Sequence, residues 1–203
     1  MKKIVLSIVI AFLAILMSGC SLKSEYNRSY IEKELNATLQ KRNDMDVIVY
    51  TTKADDDAVV VARPQSFTGG ANTLEVQTGI IGREVTYEYF KQYFNNIIKT
   101  NKFDSQKNTM IVINPKISLF EYEMDSLSNL GFAITPKIHF LFSVTVSQNY
   151  KVVFSKTYDS GVVAGETYMM SASPYEKINQ ALHMSLFNLY KIISKDIAVG
   201  EFI

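Results

Sequence analysis

Along residues 138–146 every second side chain is large and apolar, with one exception: Ile138, Phe140, Phe142, Val144 and Val146 share one parity, while His139, Leu141, Ser143 and Thr145 share the other. A repeat of two marks a strand with one face buried, because successive side chains leave a pleated backbone on opposite sides. The run ends in Gln148-Asn149-Tyr150 and is followed by a second strand region, residues 151–163. A link this short closes a hairpin, so the two strands pair antiparallel. Slipping by one residue would turn the whole apolar set to solvent, which fixes the register as well. Other elements must then cover the apolar face.

Helical patterns supply that cover. Ser173, Pro174 and Glu176 stand as N-cap, first and third residues of a helix whose stripe is Ile178, Leu182, Leu186, Leu189, Ile193 and Ile197, with Gly200 placed to end it. Across residues 85–99, Phe90, Tyr93, Phe94, Ile97 and Ile98 recur at helical spacing, with Tyr89 at the edge and Thr86 available as N-cap. A third helix is expected over residues 30–41, opened by the capping box of Ser29 and Glu32. Its stripe of Ile31, Leu35 and Leu39 is narrow, which places it at the periphery.

Short β-branched runs at 47–50 and 58–62 flank the polar break 52–57, and Pro64 ends the second. Asp55-Asp56-Asp57 lacks the alternating ligands and fixed glycine of a calcium loop and reads as solvated loop charge. Gly69-Gly70 has no Lys-Ser/Thr after it and reads as a flexible connection rather than a phosphate loop. A third long strand region, 109–124, changes parity midway: Ile111, Ile113, Ile117 and Leu119 lie on one side, Phe120, Tyr122 and Met124 on the other. Either a bulge switches the faces or both faces are apolar. In the second case Phe120, Tyr122, Met124 and Leu141 form a partner-binding face, unless a loop or the N-terminal helix folds over it. The fold class is α+β: an antiparallel β-meander of three long strands plus one or two short strands, two long amphipathic helices packed on one face, and a peripheral N-terminal helix.

Length and charge narrow the function. The 203 residues fit one domain, and 21 basic against 20 acidic side chains leave no basic excess for nucleic acid. A single Cys excludes a disulfide framework and a Cys-based zinc site, and no cofactor or metal set is expected. An enzyme needs a nucleophile with its base, a carboxylate pair or a metal set. His139 and His183 have no second His, Cys or Asp at a ligand spacing, and Glu121, Glu123 and Asp125 read as a solvated edge, so no enzyme is expected.

The N-terminus speaks to location. Lys2 and Lys3 precede an apolar-rich run over residues 4–17, too short for the roughly 20 residues of a membrane span but right for a signal peptide. Leu16-Met17-Ser18-Gly19-Cys20 resembles a bacterial lipobox, with Met17 in the place of the usual Leu; the thiol of Cys20 would receive diacylglycerol before cleavage. The expected layout is a removed leader over 1–19, a lipidated Cys20 and polar tether over 20–28, and one periplasmic domain over 29–203. Acyl chains on Cys20 make the membrane a partner. Ser21 stands where enteric lipoproteins carry Asp for inner-membrane retention, which by resemblance favours the outer membrane, periplasmic face. Asn27 and Asn36 sit in acid-x-Asn-x-Ser/Thr strings that resemble the extended acceptor of bacterial N-glycosylation.

Residues 58–203 resemble the YajG-like bacterial lipoproteins, on an early strand ending near a Pro, a helix, an antiparallel meander and the closing run from Tyr175-Glu176-Lys177-Ile178 to Gly200-Glu201-Phe202-Ile203. The same order is similar to the LptE family of lipopolysaccharide assembly and, more faintly, to HpaA-type lipoprotein adhesins. These resemblances imply a noncatalytic outer-membrane lipoprotein that binds or scaffolds an envelope protein. The alternatives they carry are a surface-exposed adhesin for host glycan or protein and, more remotely, an LptE-like assembly factor.

Overall fold

A computed structural model describes residues 21–36, 43–66, 72–102, 111–169 and 174–198. Cys20, Leu39, Gly69-Gly70, Ser173 and Gly200 lie outside them. In chain order the strands are β1 (Ser21–Ser24), β2 (Asn43–Tyr50), β3 (Val60–Ala62), β4 (Thr73–Val76), β5 (Phe94–Thr100), β6 (Ile111–Asp125), β7 (Ala133–Gln148), β8 (Lys151–Asp159), β9 (Val163–Ala164) and β10 (Tyr168–Met169). The helices are α1 (Glu32–Asn36), α2 (Lys53–Asp56), α3 (Thr78–Phe90) and α4 (Pro174–Ala198).

The α+β architecture and the meander are as expected. β6 and β7 pair antiparallel from Ile111 opposite Gln148 to Asp125 opposite Thr135, and β8 follows on the far edge of β7. The two-residue turn between β7 and β8 has φ of 51° at Asn149 and 62° at Tyr150, the doubly left-handed turn whose twist matches paired strands. All the even residues from Ile134 to Val146 are buried, and α4 lies over β7 while α3 lies over β6. β9 and β10 complete the β7 edge.

The parity change in β6 is a bulge. Register shifts between Ile117 and Leu119, so Ile111, Ile113 and Ile117 before it and Phe120, Tyr122 and Met124 after it all face the helices. The expected partner face is corrected accordingly. Phe120, Tyr122 and Met124 are at most 3% exposed and belong to the core; of the four residues only Leu141 lies on the open side, half-buried.

Three elements differ from expectation. The helix placed at 85–99 is α3, which starts at Thr78 and stops at Phe90, and Phe94–Thr100 is a strand parallel to β2. Phe90, Phe94 and Ile97 fit a helical spacing and not an alternation, and it is pairing of Ile97 with Val47 and Ile98 with Ile48 that makes the segment a strand. Thr86 is therefore mid-helix, donating to the Gly82 carbonyl and bonded to the Tyr190 hydroxyl. The sheet gains a parallel half, in the order β5-β2-β6-β7, that the meander alone does not imply. The acidic triplet is no loop: Thr52 and Asp55 form a capping box on α2, and Asp56 is buried against Arg83 and Thr51.

The N-terminal segment is folded. Ser21–Ser24 pairs parallel with β4 in a second sheet, ordered β1-β4-β3, so the polar stretch after Cys20 is not a free tether. Asn27, not Ser29, opens the helical segment: its side-chain oxygen accepts from the Ser29 amide (3.0 Å) and hydroxyl (2.8 Å) and caps a 3-10 turn, Arg28–Tyr30, ahead of α1. Ile31 is fully buried. No helix among the described residues is long and apolar enough to cross a membrane.

Candidate functional site

Two surfaces carry polar chemistry: the open side of the meander and the seam holding the N-terminal segment.

On the open side, residues of odd number in β7 meet partners across both neighbouring strands. Ser143 pairs with Thr157 (2.8 Å) and Thr145 with Ser155 (3.1 Å). His139 bonds Glu121 through Nδ1 (3.2 Å) and Asp159 through Nε2 (2.8 Å), and Lys137 donates to Asp125 (2.7 Å). Register places Leu141 opposite Leu119 and Asp159 within this ladder. The face expected to be apolar is thus a row of hydroxyls and ion pairs. Bonding to Glu121 and to Asp159 raises the His139 pKa, because each carboxylate favours the protonated ring. The Gly161 amide and His139 together lower the Asp159 pKa.

At the seam, Asn179 and His183 stand one turn apart on α4, both buried. The Ser24 hydroxyl donates to Asn179 Oδ1 (2.6 Å), and Asn179 Nδ2 donates to the Glu25 carbonyl (2.8 Å). The Asn27 amide donates to His183 Nε2 (3.0 Å), while His183 Nδ1 donates to the Asn179 carbonyl (2.8 Å). That pattern fixes the neutral tautomer, and burial pushes the His183 pKa down to about 4. Tyr26 and Tyr30 flank the imidazole, with ring centroids 5.6 and 5.3 Å away. Further along, Arg28 meets Glu88 and Glu34 meets Lys191. Sequence reasoning missed this seam, although two polar residues at positions 179 and 183, beside the apolar stripe of α4, were its signal.

The remaining candidates fall as follows. Cys20 directly precedes β1. Asn27 is exposed, with its side-chain oxygen engaged in the cap. Asn36 is the last residue of α1. Among the described residues no group of His, Cys, Asp and Glu side chains could hold a metal ion.

No family model and no curated protein matches the chain. Among solved structures it is similar to a Xanthomonas campestris protein of the DUF330 family, with a TM-score of 0.44 at 12% identity over 91% of this chain and 97% of that one. It is also similar to a Helicobacter pylori protein described as a neuraminyllactose-binding hemagglutinin homologue, with a TM-score of 0.40 at 7% identity over 78% and 86% of the two chains. A third, uncharacterized protein gives 0.38 at 9% identity over 79% and 95%.

Proposed function

We propose that this chain is a lipoprotein held to the bacterial outer membrane by acyl chains on Cys20, and that its folded body binds or scaffolds an envelope partner on the periplasmic side rather than catalysing a reaction. The observation that carries this reading is the leader ending in Leu16-Met17-Ser18-Gly19-Cys20, with a strand of the body starting at the next residue. An anchor so close to β1 turns attachment into orientation, because one residue spans less than about 4 Å. Both imidazoles are committed to structural bonds, which supports a binding role.

A second reading, an adhesin displayed on the cell surface, is favoured by the polar ladder of Ser143, Thr145, Ser155 and Thr157, whose hydroxyls suit hydrogen bonding to a glycan. Protease added to intact cells separates the two: a periplasmic body survives and a displayed one is cut. Crosslinking in native membranes then tests the scaffold, with reproducible capture of one envelope protein expected, and an LptE-like role would appear as capture of a large β-barrel. Leu141→Asp and Thr157→Lys alter the open face without touching the core. Unchanged capture in both variants removes that face as the contact.

A further inference from the structure

The loop joining β6 to β7, residues 126–132, reads Ser-Leu-Ser-Asn-Leu-Gly-Phe and carries no charge. Its three large apolar residues point outward: Leu127 is 89% exposed, Leu130 85% and Phe132 74%. Met169, 65% exposed, lies on β10 opposite Ala133, next to Phe132 in the chain. An isolated exposed Leu is ordinary, but a cluster on one uncharged tip is not.

The tip is built to hold these side chains out. Asp125 accepts from the Ser128 amide (3.1 Å) and hydroxyl, Asn129 Nδ2 donates to Thr135 (3.0 Å), and the Gly131 amide closes onto the Ser126 carbonyl (2.9 Å). Leu130 itself has φ 53°, a left-handed conformation that favours Gly or Asn, and Gly131 follows at 79°. Leu130 thus caps the 3-10 turn Leu127–Asn129 in a left-handed conformation that costs stability and leaves its side chain in solvent.

Strand directions place the anchor at the same end. Beyond Ala62 the chain runs parallel to β6: Pro64 bridges Tyr122, the Gln65 amide donates to the Tyr122 carbonyl, and Ser66 accepts from the Met124 amide. β4 is antiparallel to β3 and β1 is parallel to β4, so going from Ser24 back to Ser21 is going the way β6 runs, toward the tip. The seam agrees: Ser24 sits at Asn179, Asn27 at His183 and Glu34 at Lys191, so the end of β1 nearest Cys20 lies toward the start of α4, which follows β10 in the chain.

We propose that the β6–β7 tip contacts the lipid bilayer in which the Cys20 acyl chains are seated, with Leu127, Leu130, Phe132 and Met169 entering its surface. This rests on the lipoprotein reading above. The body then stands on two feet, acyl chains and hairpin tip, with the β7–β8 turn facing away, about 45 Å along β7.

Acylation consumes the one native thiol, so a cysteine introduced in the full, natively processed chain can be labelled alone. The test places an NBD fluorophore at Leu127→Cys, or at Val152→Cys near the far end, in protein reconstituted into phosphatidylethanolamine–phosphatidylglycerol vesicles. Doxyl-labelled lipid is expected to quench the probe at position 127 several-fold more than at 152, and aqueous iodide the reverse. Adding Leu130→Gly, which relieves the left-handed strain and removes one apolar side chain, should reduce lipid quenching at 127 while leaving near-ultraviolet dichroism unchanged. Vesicle-bound protein with equal quenching at the two positions overturns the tip inference and leaves the anchor standing. Protein that fails to float with the vesicles overturns both.

Discussion

His183 shows how one residue can tie the N-terminal segment to the body. Neutral, it accepts from Asn27 and donates to Asn179; protonated, Nε2 can no longer accept, and the charge would be buried between Tyr26 and Tyr30. Its folded pKa of about 4 lies below the ordinary 6.5, so the unfolded chain binds the proton first. Stability is therefore full above about pH 6.5 and falls as pH drops toward 4, by about 3 kcal/mol at most. Denaturant titrations across that range should show the loss in the wild type and a flatter profile in His183→Gln. His139 acts in a separate window: its pKa is raised, so its contribution is present below 6.5 and is lost as pH climbs through the folded value. Tyr122 illustrates the reverse economy, since its hydroxyl is buried with no hydrogen-bond partner among the described residues. Tyr122→Phe should raise stability by about 1 kcal/mol in equilibrium unfolding. Gly79 has no such latitude: a methyl there would lie 1.8 Å from the Asp55 carbonyl oxygen, so Gly79→Ala should cost more than the ~1 kcal/mol of a typical substitution.

Elements whose pairing follows from their own periodicity were legible, and those decided by neighbours were not. The alternation of β7 and the stripe of α4 were readable because each is long enough to repeat its pattern several times, and the link to β8 because its shortness admits only a hairpin. The parity change in β6 was visible, and the bulge at Ile117–Leu119 was one of its two explanations. β5 was hidden because Phe94 and Ile97 also complete a helical stripe with Phe90, and only the parallel partner β2 resolves the ambiguity. β1 was invisible for a plainer reason: Ser-Leu-Lys-Ser has one apolar residue and no period, and what holds it is the edge of β4 and the side chain of Asn179. The seam can be tested at this scale. Asn179→Ala removes partners of both Ser24 and Glu25 and should cost roughly 1–3 kcal/mol, with little further loss on adding Ser24→Ala. The β7–β8 turn offers the opposite sign: Tyr150, half exposed with φ 62°, should be improved by Tyr150→Gly, raising stability by about 0.5–1 kcal/mol in thermal or denaturant unfolding.

At the scale of the whole molecule, the parts form a body with direction. The helices cover one side of the large sheet, the polar ladder covers the other, and β1 leads from one end, the end of the β6–β7 tip, straight back to Cys20. A buried seam rather than a tether joins that end to α4, so an anchor on Cys20 would hold the ladder face at a fixed angle to the membrane. The anchor at Cys20 remains the expectation drawn from the sequence, whereas the open face of the sheet was not legible there, because the bulge turned Phe120, Tyr122 and Met124 inward. The proposed attachment to the membrane depends on acylation of Cys20, and intact-mass spectrometry of the protein taken from its own membranes tests it most directly. The expected result is a chain beginning at Cys20 and carrying the mass of diacylglycerol and a further acyl group, lost in Cys20→Ala. A chain with an unmodified Cys20, or one cut elsewhere, would contradict it.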